Sequence, residues 1–214
     1  MNKILFLTLF SFILSSTSNN LILIGDSRYV GMAQYLFNVN SNSPIKTTKP
    51  VSYAGYKIHV TAQVSAKYSD YNVGTALYNS VINQLSNAQK GTNVLLWLGI
   101  NSLWAPDQTH NFYKTLANSY KSLNFFAVSI TGVNESKWTT VKNADVKTFN
   151  TKLKNKVVGN PISNLKFLDI LYNNNPTQIL YSGKAVNIND YSKDGLHYNK
   201  DGYFKLFHSM EGKL

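Results

Sequence analysis

Apolar residues fall in short unbroken runs along this chain, with polar segments of helical spacing between them. Leu21-Ile22-Leu23-Ile24 has no alternation and two β-branched members, the pattern of a strand buried on both faces. Gly25 stops it, and Asp26 and Ser27 follow at once. Val30, Met32, Ala33, Leu36 and Phe37 then recur on one face of a helix over Tyr29–Phe37. The alternation continues. Thr47–Tyr53 reads as a second strand ending at Ala54-Gly55, and Thr75–Ala88 as a helix closed by Gly91. Asn93–Leu98 reads as a third strand, Pro106 to about Ser122 as a helix, and Asn124–Ile130 as a fourth strand. Thr140–Lys156 is a lysine-rich amphipathic helix, Leu165–Ile170 a fifth strand and Lys200–Met210 a closing helix. Ile58–Tyr71 fits a loop with some helix, and Leu171–Lys193, rich in Asn and Tyr, a long irregular stretch. Strands without alternation, separated by helices, predict one α/β domain with a parallel sheet covered on both faces.

Composition narrows the picture. Of 214 residues, 43% are hydrophobic and 14% charged, enough apolar surface for a core and too little charge for a disordered chain. Cysteine is absent, which excludes disulfides, thiolate catalysis and cysteine zinc sites. The net charge of +11 comes from scattered lysines rather than a block, and no nucleic-acid-binding module accompanies it. A basic surface fits attraction to an anionic cell-wall polymer or acidic glycan, or serves solubility alone. Residues 1–20 differ from the rest: Lys3, the apolar run Ile4–Leu14, then small polar residues. This pattern predicts a secretory signal peptide cut within Ser15–Asn20, with 21–214 as the mature domain, secreted or held at the cell envelope without a membrane span. A buried first helix or a retained anchor is the alternative. No cysteine follows the apolar run, so a lipoprotein anchor is excluded.

The candidate chemistry sits just past the strands, where open α/β sheets bind their ligands. Ser27 lies between a strand and a helix N-terminus, where it is either a helix cap or a nucleophile near orphan backbone donors. Gly55 follows the expected second strand and can offer an unobstructed N–H. Asn101, in Gly99-Ile100-Asn101 after the third strand, can aim an amide at a developing oxyanion. His197 in Asp194-Gly195-Leu196-His197 is a candidate general base, with a carboxylate three residues before it to orient the ring.

Gly25-Asp26-Ser27, Gly55, Gly99-x-Asn101 and Asp194-x-x-His197 resemble, in order and spacing, the four blocks of the SGNH hydrolases, the GDSL esterase/lipase family. Gly-Asp-Ser-Arg in the first block is similar to a bacterial subset of that family, and the resemblance spans Leu21 to Leu214. It implies a three-layer α/β/α, flavodoxin-like fold with about five parallel strands. It implies Ser27 as nucleophile, His197 as base and Asp194 as its partner, with an oxyanion hole from the Ser27 and Gly55 N–H groups and the Asn101 side chain. No metal and no cofactor is implied. The expected substrate is an acylated small molecule or polysaccharide, acetylated above all and anionic in one version; Arg28 and Trp104 are candidate substrate contacts. Ser102 stands where the family has Asp, so the support of the Asn101 loop differs. A lysophospholipase or thioesterase of the same family, and a non-catalytic glycan-binding protein on the same scaffold, are the alternatives. Asp190 to Asp201 has a passing likeness to a calcium loop, but it ends in Asp rather than Glu and has no preceding helix.

Overall fold

A computed structural model describes residues 19–214. The segment expected to be a signal peptide lies outside the described residues except for Asn19 and Asn20. From the first described residue the order is β1 (Asn19–Gly25), α1 (Ser27–Tyr35), β2 (Ile45–Lys46), β3 (Val51–Tyr53), β4 (Tyr56–Ala62) and α2 (Ala76–Ser86). Then come β5 (Asn93–Trp97), α3 (Pro106–Ser119), β6 (Asn124–Val128), α4 (Asn143–Gly159) and β7 (Leu165–Leu168). The chain closes with β8 (Leu171–Tyr172), β9 (Asn175–Tyr181), β10 (Lys184–Asn187) and α5 (Lys200–Glu211).

Five strands, β4-β1-β5-β6-β7, pair in parallel. Numbered among themselves along the chain, they lie in the order 2-1-3-4-5, the flavodoxin-like arrangement. α1 packs with α5 and α3 with α4, and these helices flank the sheet. The central strands carry the core. Leu21, Ile22, Leu23 and Ile24 of β1 are buried, as are Val94 to Trp97 of β5. Each such side chain contributes about 1.5–3 kcal/mol over an exposed one.

Two expectations are corrected. The second parallel strand is Tyr56–Ala62, not Thr47–Tyr53. Only Val51–Tyr53 of the expected strand forms a strand, and it pairs antiparallel with β4 through a hairpin at Ala54-Gly55. Tyr56, Ile58 and Val60 face the core while Lys57 and His59 face outward, so the strand alternates and lacks the apolar run of β1. Likewise Leu171–Lys193 is not irregular: β8, β9 and β10 form an antiparallel three-stranded sheet. Its tight connections are Asn173-Asn174 and Ser182-Gly183, with positive φ at all four residues, as twisted two-residue hairpins require.

Candidate active site

Parallel strands all end at the same sheet edge, so whatever follows β1, β4 and β5 gathers there. In β1, Gly25 pairs with Ala62 of β4 and with Trp97 of β5. Three loops therefore start side by side: Asp26-Ser27, Gln63–Ala66 and Leu98–Ala105.

Asp26 caps α1, its Oδ1 accepting from the Arg28 N–H at 3.0 Å. Ser27 is the first residue of the helix, and its own N–H has no partner among the described residues. That donor is one of the orphans of a helix N-terminus, at the positive end of the macrodipole. Ser27 is largely buried, with its Oγ 2.9 Å from His197 Nε2. The other ring nitrogen, Nδ1, lies 2.7 Å from Asp194 Oδ2. A carboxylate there keeps the proton on Nδ1, so Nε2 is the acceptor that faces the Ser27 hydroxyl.

The histidine segment is fixed by a tight turn. Asp194 Oδ1 accepts from the backbone N–H of Leu196 at 2.9 Å and of His197 at 2.7 Å. Gly195 has φ +95°, and a Cβ there would sit 2.8 Å from Lys137 Cβ, so the turn needs glycine. The Gly195 carbonyl in turn accepts from the Asn134 N–H at 2.8 Å, which ties the turn to the loop after β6. Partial burial of Asp194 works against its charged form, but the hydrogen bonds from the His197 ring and backbone outweigh it and hold the carboxyl down at about 2. The carboxylate is thus ionised at any ordinary pH. Hydroxyl, imidazole and carboxylate form one continuous hydrogen-bonded line, the geometry in which a base can take a serine proton while an anion steadies the ring.

Gly55 does not join them. It sits before the first residue of β4, which pairs with Asn19, while the serine follows the last residue of β1. It belongs to the opposite end of the sheet, where its φ of +80° serves the β3–β4 hairpin. The loop that does leave β4 at the edge carrying Ser27 is Gln63–Ala66, anchored by the Gln63 N–H on the Gly25 carbonyl at 3.3 Å. Within it Ser65 has φ +60°, and its N–H has no partner among the described residues. Nothing local to Ser65 announces this; only the correct placement of β4 brings it into view. Asn101 reaches the same loop, its Nδ2 donating to the Ala66 carbonyl at 3.1 Å. An amide nitrogen has two N–H groups, so one remains for another acceptor. The loop turn itself is held by the Ser102 N–H on the Gly99 carbonyl at 2.8 Å; the Ser102 hydroxyl is buried without a partner among the described residues.

Arg28 is also not where a substrate could meet it. It is 0% exposed, packed 5.7 Å from the Trp97 ring centroid, with Nη2 donating to the Gly132 carbonyl at 3.3 Å. Tyr198, the neighbour of His197, donates to the same carbonyl at 3.3 Å. The arginine therefore links the serine helix to the loop under the histidine. It also offsets the buried Asp26: burial pushes the Asp26 carboxyl up, and the Arg28 charge acts against that. Trp104, by contrast, is 74% exposed, close to Asn101. His59, on β4 beside Ile22, lies away from the edge that carries Ser27.

No family model matches the sequence, and neither does any curated protein. Solved structures do match by fold. The chain is similar to a GDSL-like lipase from Bacteroides thetaiotaomicron, 18% identical with a TM-score of 0.57, covering 92% of this chain and 90% of that one. It is similar to an acetylxylan esterase from Geobacillus stearothermophilus, 14% identical, TM-score 0.52, covering 91% and 93%. The catalytic domain of peptidoglycan O-acetyltransferase A from Streptococcus pneumoniae matches at 14% identity, TM-score 0.52, covering 92% and 93%. At these identities the likeness establishes a shared fold, that of GDSL-type lipases and esterases.

Proposed function

We propose that this chain is an exported serine esterase of the SGNH type that removes acyl groups, acetyl foremost, from a glycan or cell-wall polymer. The observation that carries the proposal is the unbroken line from Ser27 Oγ through the His197 ring to Asp194. In the proposed reaction the serine oxygen attacks the ester carbonyl as His197 Nε2 takes its proton. The developing oxyanion accepts from the N–H groups of Ser27 and Ser65 and from the free Asn101 N–H, donors worth about 3–4 kcal/mol each in comparable sites. The imidazolium, steadied by Asp194, passes its proton to the departing alcohol. Water, activated by the same His197, then releases the acid from Ser27. No step calls on a cofactor.

The glycan part of the proposal is supported by two structural neighbours described as an acetylxylan esterase and a peptidoglycan O-acetyltransferase domain. Export is supported by the charged and apolar pattern of residues 1–20, and a polymeric or anionic setting by the net charge of +11. No helix among the described residues is long and apolar enough to cross a membrane. The test is release of nitrophenol from nitrophenyl acetate and longer esters by wild type and Ser27→Ala. The expected result is turnover in the wild type that falls by about 10⁶ in the variant, with an unchanged melting temperature. Equal turnover in both proteins refutes the mechanism.

A further inference from the structure

A cavity of about 370 Å³ opens beside the proposed oxyanion hole, and Asn101 and Trp104 are both in its wall. Its size is within the range of small-ligand sites. Ile100, Leu103 and Val141 give it an apolar lining, and Thr140, Asp145 and Thr148 add polar groups from the start of α4 and the loop before it. Thr140, Asp145 and Thr148 are exposed; the Thr148 hydroxyl donates to the Ala144 carbonyl at 2.9 Å and keeps its oxygen as an acceptor for a ligand. Asp145 forms no ion pair among the described residues. A single exposed apolar side chain needs no explanation. An indole left 74% exposed in the wall of a cavity shared with Asn101 is a different matter.

The Trp104 ring also has a cationic neighbour. The Lys67 ammonium lies 5.6 Å from its centroid, a cation–π contact. Lys67 directly follows Ala66, whose carbonyl binds Asn101, so one loop touches both the amide and the indole. Lys67 itself does not line the cavity. The surface offered to a ligand therefore combines an aromatic face, apolar flanks, two hydroxyls and one carboxylate.

We infer that this cavity is a subsite for the sugar ring whose ester is cleaved. The inference rests on the esterase proposal for its place in the reaction, and on the cavity alone for its binding chemistry. A pyranose has an apolar C–H face to lay on the indole and hydroxyls for Thr140, Thr148 and Asp145. A plain acyl chain would leave those polar groups unused. In the reaction, the bond from the acyl carbon to Ser27 Oγ forms, the bond from that carbon to the sugar oxygen breaks, and that oxygen leaves with the proton carried by His197.

The test compares wild type, Trp104→Ala and Trp104→Phe on two esters, nitrophenyl acetate and an O-acetylated N-acetylglucosamine oligosaccharide. For Trp104→Ala, the ratio of kcat/KM on the sugar ester to kcat/KM on nitrophenyl acetate is expected to fall about tenfold, mainly through KM for the sugar ester. Trp104→Phe restores part of the loss. An equal loss on both esters, or no loss on either, overturns the subsite. Calorimetric titration of Ser27→Ala with the unacetylated oligosaccharide separates the two proposals. Heat of binding that disappears in the Ser27→Ala, Trp104→Ala double variant supports the subsite even if no ester is turned over, an outcome that would refute only the esterase. Absence of binding to Ser27→Ala refutes the subsite and leaves the esterase to its own test.

Discussion

The two ends of β4 look alike locally and differ in everything that matters for chemistry. Just before the strand, Gly55 holds a left-handed conformation with φ +80°; just after it, Ser65 does so with φ +60°. The first end turns back into β3 in an antiparallel hairpin. The second faces Asp26-Ser27 across the strand register, in a loop whose Ala66 carbonyl receives the Asn101 amide. A glycine with a free N–H is thus no evidence of an oxyanion donor. Which end of a parallel strand it occupies decides, because only the carboxyl ends of the strands converge on the serine.

Three changes break or sharpen that contrast. The largest effect is expected at the histidine turn, at the end of the sheet that carries Ser27. Asp194→Asn cannot hold Nδ1–H as an anion does, so kcat on nitrophenyl acetate should drop by about 10³–10⁴. The pH dependence follows from the same residue. Because Asp194 is held at about 2, below its ordinary 3.8, its contribution to folding is complete above about pH 4 and is withdrawn as the pH falls through 2. Melting curves of wild type and Asp194→Asn should accordingly differ at neutral pH and converge near pH 2. The next effect is at Ser65→Pro, which removes the N–H and forbids a positive φ. Here kcat should fall by about 10²–10³ while the protein still folds; unchanged kcat would remove Ser65 from the oxyanion hole. The smallest is at the hairpin end. Gly55→Ala meets open space, so only the left-handed strain counts, about 1–2 kcal/mol of stability with kcat unchanged. A drop in kcat there would return Gly55 to the site.

Much of this was legible because burial leaves a simple mark. The runs at Leu21–Ile24, Val94–Trp97 and Phe125–Val128 are covered on both faces and read directly as central parallel strands. Asp194 and His197 were legible for a similar reason, since their contact is made within four residues. β4 was not, because it lies next to the sheet edge and shows Lys57 and His59 outward, so its alternating pattern passed for loop. With β4 at Tyr56–Ala62, Gly55 lies before the strand and Ser65 after it. Residues 171–193 were obscured by their Asn and Tyr content, although Asn173-Asn174 and Ser182-Gly183 are the turn pairs of hairpins. The burial of Arg28 has no local mark at all. It depends on Trp97 and on Gly132, brought alongside only by the finished sheet.

The short strands β2 and β3 bear on the behaviour of the molecule in a crowd. Ile45–Lys46 and Val51–Tyr53 share the outer border of β4, one against each half of it. A seven-residue border would otherwise stand open as a template for a second chain. Divided between segments of two and three residues, one carrying Lys46, that border offers no continuous ladder. On the far side β7 is four residues long and carries Lys166. Polymerisation through the borders of this sheet is thereby discouraged at both margins.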